Sequence, residues 1–182
     1  MSFGVTVGTI VLTITGCWLG EISLLPQLQL NGFVMGAGVL LSMPLLGVFF
    51  GLKSLPFEPV RRVFRIVNEY FGPAMASCRV TELALIALGA GVSEELLFRG
   101  LLPAALAGRG VLIAIVLPNI AFGILHAATI TYAVIATCIG LFFSLCLLIW
   151  PETNLVTVIV AHAAYDFIAF LVVAREHRLS RM

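Results

Sequence analysis

Six apolar stretches, each close to the length that carries a helix across a hydrocarbon layer, dominate this chain: Phe3 to Leu19, Gly32 to Leu52, Leu83 to Leu106, Val111 to Ala128, Thr131 to Trp150 and Leu155 to Ala174. A spanning helix needs about 20 apolar residues because its backbone groups must be satisfied within the segment. With 61% hydrophobic residues, 10% charged residues and a mean hydropathy of +1.14, the 182 residues hold too little polar surface to cover a soluble globule. The expectation is an all-α integral membrane protein, a polytopic bundle of about six transmembrane helices. It is read as a single transmembrane domain over 1–182, with a motif-bearing core over 83–174.

The few charges are informative by position. The net formal charge of +1 gives no field that would gather nucleic acid, so no nucleic-acid partner is expected. Lys53, Arg61, Arg62, Arg65 and Arg79 lie between the second and third stretches, and Arg175, Arg178 and Arg181 follow the sixth. With six crossings, all eight fall on one side, and only Arg109 lies in a loop opposite, with Glu21 and Glu152. The positive-inside rule then places both termini in the cytoplasm, and the lipid bilayer is the first partner.

Between the second and third stretches, Val60, Phe64, Val67 and Phe71 recur at helical spacing, with Arg61, Arg62, Arg65, Asn68 and Glu69 largely turned away. This pattern predicts an interfacial amphipathic helix on the cytoplasmic leaflet, opened by Pro59 and ended by Gly72 and Pro73. The four cysteines, Cys17, Cys78, Cys138 and Cys146, show no C-x-x-C spacing and are expected to be buried small apolar residues. Residues Ile14 to Cys17 have the outline of a lipoprotein cleavage box, but no Lys or Arg precedes the apolar run, and an uncleaved first helix is expected.

Against this background, ionisable groups inside the apolar stretches stand out: Glu94, Glu95 and Arg99 in the third, His126 in the fourth, His162 and Asp166 in the sixth. An ionised carboxylate at the centre of a membrane helix costs about 2.5 to 3.5 kcal/mol on insertion scales, so such groups persist only where they meet one another or line a wet cavity. On a helix Glu95 and Arg99 share a face, and Glu94 points about 100° from Glu95. Glu95 is thus held by Arg99, and Glu94, projecting into the bundle, is the better candidate general base. Asn119 and Phe122 share a face with His126, whose imidazole could hold the water that Glu94 deprotonates. His162 and Asp166, the only aspartate, lie one turn apart with Ala161, Ala163 and Ala164 leaving them accessible.

Counted at about 1.5 Å per residue from the cytoplasmic ends, Glu94 and His162 lie roughly 17 to 18 Å deep and Asp166 about 12 Å. His126 fits this depth less well unless its helix extends towards Tyr132. Any one of these residues could serve only as an interhelical hydrogen-bonding group. Their joint occurrence points to a site opening to the cytoplasmic half of the bilayer.

The patterns E-E-x-x-x-R (Glu94, Glu95, Arg99), F-x-x-x-H (Phe122, His126) and H-x-x-x-D (His162, Asp166), in this order, resemble the CPBP family of CAAX proteases and bacteriocin-processing enzymes, also called Abi. The resemblance implies an intramembrane endopeptidase in which Glu94 is general base, His126 helps hold the water, and His162 with Asp166 faces the tetrahedral intermediate, with Glu95 and Arg99 supporting. Asp166 stands where some members have Asn, and an ionised Asp cannot donate a hydrogen bond to an oxyanion. It is therefore expected to be protonated or to orient His162.

The residues admit a metal-free glutamic mechanism, which is favoured, with no cofactor. They also admit zinc held by Glu94, His126, His162 and Asp166, although no H-E-x-x-H is present. The expected substrate is a membrane-delivered peptide or protein, lipidated or bacteriocin-like, in a prokaryotic cell membrane. A non-hydrolytic immunity or partner-binding protein, or a solute pathway, is the rival class. The lack of a polar stripe reaching the outer side disfavours a conducting path.

Overall fold

Polar capping residues at the ends of apolar runs set the helix boundaries in the computed structural model, which describes residues 3–180. The helices are α1 (Phe3–Leu19), α2 (Gly32–Ser54), α3 (Glu58–Ser77), α4 (Val80–Glu95), α5 (Leu102–Leu106), α6 (Val111–Leu125), α7 (Ile130–Ile149) and α8 (Leu155–Leu179). The Asn31 side chain accepts from the Val34 N–H at 3.0 Å to start α2, Thr129 accepts from Tyr132 at 3.0 Å to start α7, and Asn154 accepts from Val156 at 2.9 Å to start α8. Each satisfies a donor that the first helical turn leaves without a backbone partner. Gly110 takes φ +97, a left-handed conformation that frees the chain to reverse before α6.

α2, α7 and α8 are long and apolar enough to cross a membrane, and α1 and α6 are shorter apolar helices. Large apolar side chains on the outside of the bundle, such as Leu40 on α2, Leu112 on α6 and Ile130 on α7, would be untenable in water. The all-helical architecture and this apolar exterior make the chain an integral membrane protein.

α8 is the hub, packed against α2, α3 and α4, while α6 pairs with α7, and α1 leans on α4. Close approach relies on small residues, as between membrane helices in general. A Cβ on Gly91 of α4 would lie 3.0 Å from the Ile159 carbonyl oxygen of α8, so a side chain there would push the two helices a few tenths of an ångström apart.

The third apolar stretch is not one regular helix. After Glu95 the backbone widens into a π-helical turn over Leu96–Leu101, closed by an N–H from Leu102 to the Leu97 carbonyl, before α5 continues. Pro103 offers a physical reason: it has no N–H to return to the preceding turn, and its ring crowds the carbonyl four residues back.

α3 departs from expectation in two ways. It runs through Pro73 to Ser77 instead of stopping at Gly72, because Met75 packs with Leu83, Val173 and Ala174 and Arg178 donates to the Ala76 and Cys78 carbonyls. Its apolar face turns towards the bundle: Val60 and Val63 are buried, and Phe64 packs edge-to-face on Phe49 with centroids 5.5 Å apart. Arg61, Arg62 and Arg65 are exposed on the opposite face, as their spacing predicted. The Lys53–Glu176 ion pair and the Arg178 contacts gather basic groups at one end of the bundle, while Arg181 lies outside the described residues. Of the cysteines, all four are free thiols and only Cys146 is buried; Cys138 is exposed, so the expectation of burial fails where α7 turns it outwards.

Candidate active site

Two layers of polar groups stack inside the bundle around the π-helical turn. The deeper layer is sealed. Glu95 is fully buried and accepts from the Arg99 guanidinium at 2.9 Å. Arg99 also donates to Asn119 Oδ1 at 3.1 Å, and the Asn119 amide donates to Ser144 Oγ at 2.8 Å and to the Ile115 carbonyl at 2.7 Å. The guanidinium lies between two aromatic faces, 4.5 Å from the Phe122 centroid and 5.6 Å from that of Phe143. Gly140 of α7 permits this crossing, since a Cβ there would collide with both Asn119 and Arg99.

The network fixes the histidine above it. His162 Nδ1 lies 2.6 Å from the same Glu95 Oε1 that Arg99 holds, and the imidazole stacks on Phe143 at 5.9 Å with rings 28° apart. A carboxylate only accepts, so Nδ1 carries the proton and donates to it, and Nε2 faces the cavity. Charge pairing of Glu95 with Arg99 was legible in the sequence; its grip on His162 was not. The orienting partner of His162 is therefore Glu95. Asp166 Oδ2 lies 3.5 Å from His162 Nε2, on the cavity-facing edge, so it meets the imidazole on the side opposite Glu95.

Glu94 occupies the upper layer. Its Oε2 lies 3.7 Å from His162 Nε2 and 3.9 Å from His126 Nε2, and that oxygen has no hydrogen-bond partner among the described residues. His126 caps the C-terminus of α6, and its Nδ1 lies 2.8 Å from the Phe122 carbonyl, which again can only accept. Both imidazoles thus present Nε2 towards one carboxylate oxygen. His126 reaches this depth although α6 stops at Leu125, because the bond to Phe122 folds its ring back along the helix. Phe122 lies against it at 4.4 Å and against His162 at 6.4 Å.

Glu94, His126, His162 and Asp166 line one end of a cavity of about 450 Å³. Its other walls are apolar: Phe49 of α2, and Phe64, Val67 and Phe71 of α3 among them. The amphipathic helix expected to rest on lipid thus supplies a wall beside the polar cluster.

Every residue singled out from the sequence is in or beside this site: Glu94, His126, His162 and Asp166 on the cavity, Glu95, Arg99, Asn119 and Phe122 behind or beneath it. Sequence reasoning missed Ser144, Phe143 and Gly140. A serine one turn after a glycine in an otherwise apolar α7 was a usable signal; Phe143 carried none. Among the described residues, no group of three or more His, Cys, Asp and Glu side chains is spaced to hold a metal ion.

Residues 76–168 match the family described as type II CAAX prenyl endopeptidase Rce1-like, a segment that covers just over half of the chain and contains every polar group of the site. This chain belongs to that Rce1-like family. Membership implies a CAAX-type endopeptidase acting in a membrane, in agreement with the resemblance carried by the three sequence patterns. No curated protein and no solved structure matches the chain.

Proposed function

We propose that this protein is an intramembrane endopeptidase of the glutamic type, hydrolysing a peptide bond with water activated by Glu94 and His126. The observation that carries the reading is the convergence of two imidazole Nε2 atoms at 3.7 and 3.9 Å on a Glu94 oxygen that no group among the described residues satisfies. Those separations are too long for direct hydrogen bonds and suit a water held between the groups. His126, with Nδ1–H committed to the Phe122 carbonyl, accepts one water proton at Nε2, and Glu94 accepts the other.

As the water oxygen attacks the scissile carbonyl carbon, its proton passes to Glu94 and the carbonyl π electrons move to oxygen. Collapse of this intermediate re-forms the carbonyl, breaks the C–N bond and returns the proton from Glu94 to the leaving amine. Glu95, Arg99, Asn119 and Ser144 hold His162 in one orientation without touching the substrate. His162 and Asp166 face the reacting carbonyl.

The apolar cavity suits a lipidated or strongly apolar peptide arriving from the bilayer, and the family name supports a prenylated C-terminal CAAX segment as substrate class. The chain forms one transmembrane domain of six crossings, α4 to α5 counting as one, and α3 borders the cytoplasmic leaflet. By the charge distribution both termini lie in the cytoplasm, and a prokaryotic cell membrane is the proposed location.

The test uses purified full-length protein in lipid nanodiscs and a fluorogenic peptide ending in an S-farnesylated CAAX sequence. Glu94→Gln is expected to lower kcat by about 10² to 10⁴-fold, the range of a lost general base. Turnover by the wild-type protein is expected to survive 1,10-phenanthroline. Cleavage by Glu94→Gln at the wild-type rate would refute hydrolysis at this site, and inhibition by the chelator reversed with zinc would replace the glutamic mechanism with a metal-dependent one.

A further inference from the structure

α3 commits its apolar face to the protein and leaves its charged face to whatever surrounds the bundle. Val60 and Val63 are buried, and Phe64, Val67 and Phe71 line the cavity that holds Glu94 and both imidazoles. The opposite face carries Arg61, Arg62 and Arg65, all exposed. Arg65 is paired within the helix, its Nη2 2.7 Å from Glu58 Oε1. Among the described residues, neither Arg61 nor Arg62 enters an ion pair or a side-chain hydrogen bond. Glu69 lies two turns beyond Arg62, about 10 Å along the helix axis, and does not offset it. Two neighbouring guanidinium groups without a carboxylate favour an anionic partner.

The connections of α3 keep this face at the membrane boundary. Only Leu55 to Phe57 separate it from α2, which is long and apolar enough to cross a membrane, and only Cys78 and Arg79 separate it from α4. Three residues reach about 10 Å at most, so α3 stays beside the ends of the apolar helices. Phe57, at its start, and Tyr70 are exposed, and aromatic side chains favour the headgroup level.

α3 is also fastened unequally. α8 clasps its C-terminal half: His177 Nδ1 lies 3.2 Å from Asn68 Oδ1, and Arg178 donates to the Ala76 carbonyl at 2.8 Å and to that of Cys78 at 3.3 Å. The N-terminal half rests on apolar contacts such as Phe64 against Phe49. Among the described residues it makes no hydrogen bond or ion pair to another helix, although it presents Phe64 and Val67 to the cavity.

We propose that the Arg61–Arg62 face of α3 is a binding surface for anionic phospholipid, whose headgroup phosphates fasten the N-terminal half of this cavity wall. A phosphodiester supplies the negative charge and the acceptor oxygens that a guanidinium binds as a fork, and a lipid delivers them at the depth where α3 lies. The composition of the leaflet then sets how firmly the wall beside the polar cluster is held. The surface is separate from Glu94, so its assignment stands or falls independently of hydrolysis there.

The test uses full-length protein in phosphatidylcholine nanodiscs with and without phosphatidylglycerol, and needs no turnover. Retention of spin-labelled phosphatidylglycerol over phosphatidylcholine reports binding, and hydrogen exchange of the α3 backbone amides reports fastening. The preference of the wild type for phosphatidylglycerol is expected to fall about fivefold with each of Arg61→Gln and Arg62→Gln, the increment of one basic side chain at an anionic surface. Both side chains are exposed, so the packing of α3 is left in place. Arg61→Lys with Arg62→Lys should keep most of the preference, and Arg109→Gln, in the loop at the opposite end, should keep all of it. Phosphatidylglycerol should slow exchange over residues 61–67 about tenfold in the wild type and not in the double Gln variant. An unchanged preference in the double Gln variant, or an equal loss in Arg109→Gln, would overturn the lipid assignment. So would a double Gln variant that keeps the lipid preference and loses affinity for an acidic peptide, which would make the face a peptide surface. Exchange that phosphatidylglycerol leaves unchanged in the wild type, or slows equally in both proteins, would overturn the fastening.

Discussion

Glu95 shows how one buried side chain can serve both stability and chemistry. Its Oε1 receives Arg99 at 2.9 Å and His162 at 2.6 Å, so a single oxygen ties α8 to the π-helical turn. Removing one partner of a buried pair leaves the other charge uncompensated, at a cost of about 3 to 5 kcal/mol. Glu95→Gln keeps the size but loses the charge, so it is expected to lower the thermal midpoint and to reduce kcat at temperatures where it remains folded. The loss should follow freedom of the His162 ring, visible as changed imidazole resonances by NMR. Unchanged resonances with reduced activity would mean that Glu95 acts otherwise than through His162.

At the scale of elements, α3 and the π-helical turn separate what the sequence displays from what it conceals. Amphipathic spacing in α3 was plain, because charged Arg61, Arg62 and Arg65 mark one face; whether the other face met lipid or protein was not, since both are apolar. The same ambiguity runs through α7, where nothing distinguishes inward Phe143 from outward Leu145 except the structure. Polar residues escape it. Glu94, His126 and His162 were placed in advance because a bilayer tolerates them only facing inwards. The π-helical turn had one sign, Pro103, which a plain apolar count overlooks. If the α3 wall shapes the substrate-binding volume, filling it with Val67→Trp should raise KM for the farnesylated peptide about tenfold or more, as overfilling a pocket disfavours its ligand. Unlabelled apolar peptides with small side chains should suffer less. Equal kinetics for Val67→Trp and wild type would show that the substrate does not enter beside α3.

For the molecule as a whole, the arrangement places acid and imidazole groups from α4, α6 and α8 around one point, with a sealed polar network beneath and an apolar cavity alongside. The helical membrane architecture was readable from hydropathy and capping residues, and three spaced patterns singled out the residues of the candidate site. The coupling of the two layers through Glu95, Asn119 and Ser144 was not, because it depends on how helices distant in sequence rotate against one another. If Glu94 and His126 act on a single water, removing either should disable the same step, and removing both should add little. The most direct measurement is a double-mutant cycle in kcat for Glu94→Gln, His126→Ala and their combination on the farnesylated CAAX peptide in nanodiscs. The account predicts a large loss in each single variant and a double variant no more than a few-fold slower than the worse of them. Losses that multiply in the double variant, or a single variant that keeps wild-type turnover, would contradict it.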